Sequence, residues 1–553
     1  MLVLVGWACA PGPTGGNSPY TRDPGPRDGA ADGAGSALDT GAAGTEACDE
    51  SRRLFGAFSA WDRGDDWARQ HPDGREDIRR SAGLVVEDLD EDGVLDVFVT
   101  GDGACLLYAG QPDGRFVDVS VDRLPSGGLD CGAWGAAAAD LDGDDRLDLV
   151  VSGWAGSPQV WLNGENGRFK DMTPDVGLER STPVGRSPSL GDMDGDGDLD
   201  LFMSTHLDQD RQVVANGLFE NQDGRFVERT ERLLSSTATE GATFLASWLD
   251  IDQDGDLDLY IINDYGFGIA PNQLLRNTLE TGRLGFADAS VETGLGFPAF
   301  AMGNAVTDLN GDGLPDFVIS DIHRLHLLLS TEDGWVEAAA SQGLLPQQEQ
   351  GQLVAWGVQF ADLDNDGLDD LLVPFGPIDD VLGEIAEDAI ELAQPDAVFR
   401  QQEDGQFEDV AGDWGLDQRL IGRSTLAVDL DGDGWLDVFK RDFLGGPTQL
   451  YRGRPGCNRS LSIHLRGAPG RRQAIGAKVV VEAEDRSWTR WNLPTNTGLS
   501  TTGPPRVHIG LGRRVSVSRV EVTWPSGVVT TVEAPSIDGP LVIEEPGRPA
   551  AVP

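Results

Sequence analysis

Positive charge, histidine and cysteine are all scarce in this 553-residue chain. It has 42 basic residues against 93 acidic ones, a formal charge of −51, six histidines and five cysteines. So acidic a surface excludes nucleic acid and anionic membrane surfaces as partners. No apolar run is long enough to span a bilayer, so there is no transmembrane segment to place. HExxH, GxSxG, Walker A and CxxC phrases are absent, which removes the common metalloprotease, serine hydrolase, nucleotide and dithiol chemistries. Of the histidines, His323 and His326 stand three apart on an expected strand and so on opposite faces, which suits zinc poorly. No catalytic residue is assigned, and the chain is expected to be non-enzymatic. The tripeptide Arg63-Gly64-Asp65 is read as a chance occurrence in a chain rich in these residues.

The first residues, MLVLVGWACAPGPTGG, resemble the end of a secretory signal meeting a lipidated cysteine, Cys9. Residues 10–50 are Gly, Pro, Ala, Asp, Ser and Thr with few large apolar side chains, the composition of a flexible tether. Export to the cell surface or the extracellular space follows as the expected location. With Cys9 set aside, four cysteines remain and allow three pairings. Cys105–Cys131 inside the first repeat and Cys48–Cys457 across the ends of the array are the favoured pair, against four free thiols.

What the chain has in excess is aspartate, and it is organised. The phrase SLGDMDGDGDLDLFM (189–203) returns as a nine-residue acidic turn starting at 88, 140, 192, 250, 308, 362 and 429. A near-regular period of this length points to a repeat architecture. In D-x-[D/N]-x-D-G-x-x-D, the side chains at positions 1, 3, 5 and 9 can converge on one point. The candidate ligands are Asp88, Asp90, Asp92 and Asp96; Asp140, Asp142, Asp144 and Asp148; Asp192, Asp194, Asp196 and Asp200; and Asp250, Asp252, Asp254 and Asp258. They continue with Asp308, Asn310, Asp312 and Asp316; Asp362, Asp364, Asp366 and Asp370; and Asp429, Asp431, Asp433 and Asp437. Stacked like charges repel strongly unless a cation sits among them. Oxygen-only ligands on a flexible loop suit Ca²⁺ better than Mg²⁺, so up to seven structural calcium ions are expected. Glycine at position 6 permits the sharp turn; only the second loop departs, with Asp145. Position 12 holds Val99, Val151, Met203, Ile261, Ile319, Val373 and Lys440, so the glutamate an EF-hand needs is missing.

Each turn lies between two β-like runs, such as GAAAAD before and DLVVS after, with a third run (QVWLNG) and a DGxF-type fourth beyond. Four short strands per unit and seven units predict an all-β chain: a seven-bladed β-propeller followed by a small β-rich C-terminal domain. The seventh unit lacks a fourth strand, and a strand near Asp77–Ile78 is expected to supply it. Apolar spacing over 377–396 predicts an amphipathic helical insertion. Six residues before each turn lie Ala82, Trp134, Arg186, Phe244, Met302, Trp356 and Arg423. On innermost strands these gather near one channel mouth, about 20 Å from the turns. Trp134, Arg186, Phe244, Trp356 and Arg423 are the candidates for an aromatic and cationic platform for a sugar or anionic ligand; ordinary packing between blades is the competing reading.

The acidic phrases resemble the FG-GAP/VCBS repeats of integrin-α-like propellers over about 80–453. After 457 the phrases IGAKVVV, HIGLG and VEVTWPSG look like the ASPIC/UnbV domain, which follows such propellers in the cartilage-acidic-protein-like family. The resemblance implies a calcium loop between the first two strands of each blade and a non-enzymatic, extracellular role. The expected organisation is a signal remnant (1–9), a linker (10–50), the propeller (51–456), the ASPIC/UnbV domain (457–545) and a tail (546–553). The expected function is that of an exported calcium-binding module for adhesion or for binding a protein or glycan ligand. A polysaccharide-acting propeller enzyme with its site at the channel mouth, and a purely architectural matrix protein, are the alternatives.

Overall fold

Every acidic turn forms the tip of a hairpin, and each hairpin is widened by further antiparallel strands. The computed structural model describes residues 59–60 and 82–547, apart from 102, 130, 154–156, 179–184, 209, 345–352, 379–392, 444–447 and 494–498. The second repeat shows the unit: Ala133–Ala139, Asp148–Gly153, Gln159–Asn163 and Phe169–Asp171 pair in that order, each antiparallel to the next. Among the described residues seven such sheets occur, with first strands Leu84–Glu87, Ala133–Ala139, Gly185–Gly191, Ala242–Leu249, Asn304–Thr307, Gln359–Ala361 and Gly422–Val428. The first strand of the second blade lies beside those of the first and third; those of the fifth and seventh flank the sixth. This is a seven-bladed propeller-like arrangement, all-β as expected.

Crowding explains the sequence gradient within a blade. Inner strands meet near the axis and are covered on both faces, so small residues such as AWGAAAA are buried along the whole strand. Outer strands face solvent on one side, and Phe169–Asp171 buries only its phenylalanine. A Ser or Thr after the fourth strand then stitches the blade: Ser120, Thr173, Thr230 and Ser290 accept the N–H of Leu107, Val160, Leu218 and Leu274 at 2.9–3.1 Å.

The seventh blade is completed from the other end of the chain. Ser59–Ala60 pairs with Gln449–Tyr451, in the register Ser59↔Leu450 and Ala60↔Gln449. The closing strand is therefore not the one expected near Asp77–Ile78, which lies outside the described residues. Joining the two ends in one sheet removes the exposed edge that a three-stranded blade would leave. Most of the helix expected over 377–396 is also outside the described residues; its end is not helical, since Gln394–Pro395 pairs as a strand with Arg419–Leu420. Cys105 and Cys131 form a disulfide with a Cα–Cα distance of 5.6 Å. Cys457 is disulfide-bonded; Cys48, its expected partner, and Cys9 lie outside the described residues, as does Arg63-Gly64-Asp65.

Beyond the seventh blade, Arg459–Arg466, Arg506–Gly512 and Leu541–Glu544 form one sheet. Lys478–Glu482, Ser487–Trp491, Arg519–Thr523 and Val529–Glu533 form another. Alternating burial along Lys478–Glu482 and Arg519–Thr523 turns one face of each strand into a shared core with Ile463, Trp488 and Trp524. Trp524 shapes both a turn, through the Gly527 N–H to its carbonyl, and that core.

Candidate metal centres

The seven acidic turns adopt one backbone conformation. Position 4 has positive φ in every loop: Glu91, Gly143, Gly195, Gln253, Gly311, Asn365 and Gly432, between 57° and 76°. Position 6 does too, from 73° at Asp145 to 103° at Gly197. Two left-handed residues two apart coil the chain so that main-chain N–H groups point inward. The position-6 N–H then donates to the position-1 carboxylate in all seven loops at 2.8–3.2 Å. The position-7 N–H donates to the position-5 carboxylate, again in all seven, at 2.8–3.1 Å. Position 6 was legible from its glycines. Position 4 was not, although glycine occupies it in four loops.

Position 9 fastens the loop to the blade. Its Oδ1 accepts an N–H from the end of the third strand in every repeat: Gly110, Asn163, Asn221, Asn277, Ser330, Gln401 and Gly453, at 2.6–3.3 Å. In six loops its Oδ2 accepts the position-2 N–H; in the seventh, Asp437 pairs with Arg452 at 2.8 Å instead. These carboxylates are buried, and they still reach the turn. Asp88, Asp90 and Asp96 bring one oxygen each within 4.8 Å of one another, as do Asp140, Asp142 and Asp148, and Asp192, Asp194 and Asp200. In the fourth loop the converging set is Asp250, Asp252 and Asp254.

Such convergence is electrostatically unfavourable on its own. Burial, ahead of repulsion from neighbouring aspartates, pushes Asp96 and Asp437 up to about 7 and Asp148 and Asp258 up to about 8. Asp192, Asp194, Asp250 and Asp364 rise to about 6, and burial lifts Asp200, Asp362 and Asp370 well above the carboxylate range. Arginines offset part of the charge: Arg123 on Asp90 (2.6 Å), Arg276 on Asp252 (3.2 Å), Arg400 on Asp364 and Asp366 (2.7 and 2.8 Å), and Arg146 on Asp144. Three or four carboxylates at the ligand positions of each turn, against one such guanidinium in four of the turns, leave a net negative, oxygen-only pocket. The donor set fits a hard divalent cation, and Ca²⁺ best among them.

The C-terminal module sits over this face and touches all seven loops. Arg472 pairs with Glu91 of the first, and Gly470 N–H donates to Asp140 of the second. Arg471 reaches Asp192 of the third at 3.4 Å, while Lys478 donates to Gln253 of the fourth and the Gly313 carbonyl of the fifth. Trp488 Nε1 donates to the Gly367 carbonyl of the sixth, and Ser460 to that of Gly434 in the seventh. A strand of the module, Thr501–Thr502, also enters the ring and pairs in parallel with Leu84–Val85.

That inserted segment corrects the expected ligand platform. Trp134, Arg186, Phe244, Trp356 and Arg423 do converge, with Phe244 5.7 Å from Trp356 and 6.2 Å from Trp134. Arg423 lies 3.7 Å over Trp356 and Arg186 4.1 Å over Trp134. All five are at most 7% exposed and share their surroundings with Phe443 and Leu499. They form a packed core at the axis and present no open face. The glycine after the ring residue is the overlooked signal: a side chain at Gly135 or Gly357 would collide with Ser500 or Leu499 of the inserted segment.

Sequence comparison finds the same two kinds of unit. The FG-GAP-like repeat profile matches residues 88–151, 140–203 and 308–373, and the profile "ASPIC and UnbV" matches 467–550. Cartilage acidic protein 1 of Homo sapiens is 25% identical over 507 residues, covering 84% of this chain and 71% of the relative. Integrin alpha-5 of Xenopus laevis is 28% identical over 187 residues, 30% of this chain and 17% of the integrin. Among solved structures, virginiamycin B lyase from Staphylococcus aureus aligns over 69% of this chain and 97% of its own, at 11% identity and a TM-score of 0.39. The chain is thus built of FG-GAP-like repeats followed by an ASPIC and UnbV domain, with cartilage acidic protein 1 among its homologues.

Proposed function

We propose that the chain is an exported, calcium-loaded propeller that works as a non-enzymatic binding or adhesion module at the cell surface or in the extracellular space. The ligands of each ion are the residues at positions 1, 3, 5 and 9, from Asp88 in the first loop to Asp437 in the seventh. The observation that carries the reading is the repeated convergence of carboxylates, the position-9 ones buried and raised by that burial, only partly offset by arginine. Calcium is structural in this role: it replaces the missing positive charge and rigidifies the hairpin tips on which the C-terminal module rests. The similarity to cartilage acidic protein 1 and to an integrin α-subunit supports a role outside the cell with a protein or glycan partner.

Metal analysis of the purified chain after equilibrium dialysis tests this. Calcium retained at several ions per chain, up to one per loop, with dissociation constants of about 10⁻⁴–10⁻³ M, is the expected result. A chain that retains no calcium in millimolar calcium buffer would overturn it.

A further inference from the structure

Between the ring and the C-terminal module lies a cavity of about 170 Å³, walled by the inner strands of the fifth to seventh blades and roofed by residues of the module. Interfaces between modules are preferred places for small-molecule sites. The cavity lining holds Arg506, Arg490, His508 and Asn304 together with three aspartates: Asp369, and Asp362 and Asp429, the position-1 residues of the sixth and seventh loops.

Arg490 is committed to Asp369 at 2.8 Å. Arg506 is not so committed. Its guanidinium donates to the Asp429 main-chain oxygen at 3.3 Å, and the carboxylates that influence it, Glu87, Asp429 and Asp88, form no ion pair with it among the described residues. His508 complements it. Its Nε2 meets the Asn365 side-chain oxygen at 2.6 Å, and that amide's nitrogen donates to the Gly434 carbonyl, so Nε2 carries the proton. Its Nδ1 is then a buried acceptor with no partner, and burial holds the ring neutral by lowering it to about 4. A buried acceptor left unmatched is unfavourable and calls for a donor. Trp491 and Phe360 supply an apolar wall.

We infer that this cavity binds a uronic-acid sugar, its carboxylate on Arg506, a ring hydroxyl donating to His508 Nδ1, and its C–H face against Trp491 or Phe360. A guanidinium fork matches a carboxylate, an orphaned imidazole nitrogen matches a hydroxyl, and an aromatic wall matches a pyranose face. The inference deepens the reading of the chain as a binding module by naming a ligand class, and it rests on that reading: because Asp362 and Asp429 line the cavity, it is tested with the sixth and seventh loops saturated with calcium.

Isothermal titration calorimetry on the full chain in saturating calcium tests it, with calcium content measured separately so that loss of the ions is not mistaken for loss of this site. Glucuronate or galacturonate should bind at least about tenfold more tightly than glucose, galactose or the methyl ester of glucuronate. A uronate-ended oligosaccharide in a parallel arm separates a free sugar acid from a chain end as the source. Arg506→Gln should weaken uronate binding about tenfold or more, and Arg506→Lys should retain an intermediate affinity. The methyl ester removes the charge from the ligand, so the comparison survives if Arg506→Gln does not fold. No uronate binding in either arm at about 10 mM, equal binding of the ester, or full affinity in folded Arg506→Gln would each overturn the inference.

Discussion

The two ends of the inner strands handle buried charge in opposite ways, although only six residues of sequence separate them. At one end, seven turns collect aspartates that the protein's own cations neutralise only in part. At the other, the guanidinium groups of Arg186 and Arg423 are buried against Trp134, Trp356, Phe244 and Phe443. Arg423 also donates to the carbonyls of Gly422 and Pro377, at 3.0 and 2.8 Å. The aromatic end holds its guanidinium groups against π-faces and, at Arg423, main-chain carbonyls of the same chain. The acidic end is left with net negative charge that a divalent cation would neutralise, and the C-terminal module rests on it. On the proposed reading, one end folds from the chain's own groups while the other is linked to calcium.

Breaking the acidic end should have the largest effect. Excess EGTA should lower the melting temperature by on the order of 20 °C, since each site at a hundredfold excess of calcium contributes about 2.7 kcal/mol. A calorimetric melt unchanged by chelation would contradict the contrast. At the aromatic end, Trp356→Ala should cost about 3–5 kcal/mol through the cavity it leaves. It should leave the calcium content of the protein unaltered. Loss of ions in that variant would mean the two ends are coupled.

A third prediction is smaller and concerns pH. The position-9 carboxylates are raised in the folded chain to about 7 at Asp96 and about 8 at Asp148 and Asp258. In EGTA the folded state therefore holds more protons than the unfolded one between pH about 4 and about 8. Stability from these groups is fully present below the unfolded value near 4 and is lost as pH rises through the folded values. Thermal melts in EGTA should drop by several degrees from about pH 5.5 to about pH 8, and calcium should flatten that slope by displacing the protons. A metal-free chain that grows more stable over the same range would reverse the sign and refute the account.

The smallest expected effect separates loop geometry from module docking. Gly93 and Gly367 share position 6, with φ of 89° and 94°. A Cβ at Gly93 meets nothing within 4 Å, whereas one at Gly367 comes to 3.2 Å from the Gly510 carbonyl of the module. Gly93→Ala should cost about 1 kcal/mol of backbone strain, and Gly367→Ala more, measured by denaturant unfolding. Equal costs would show that the module's contact with the sixth loop is unimportant.

Much of the blade was readable because its determinants are local. Acidic turns, glycines at position 6 and β-rich runs on either side follow from nearest-neighbour chemistry, and they yielded the seven sheets and the candidate ligands. Cys105–Cys131 was also readable, being close in sequence. The closing strand at Ser59–Ala60 was not: two residues with no distinctive pattern become a strand only because the last blade offers them an edge. The ring residues were placed together correctly and given the wrong accessibility. Nothing in Trp134 or Arg423 announces that Leu499 and Ser500 will be seated among them.

By itself, then, the order of residues determined everything that depends on short-range covalent spacing: the turn conformation, the convergence of carboxylate oxygens within a turn, and the hairpins that carry them. The tertiary structure alone decided what covers those hairpins. Contacts such as Arg471–Asp192 and Thr501–Leu84 join residues hundreds of positions apart. Their strength comes from burying charge and main chain against complementary surfaces that exist only after the ring has closed.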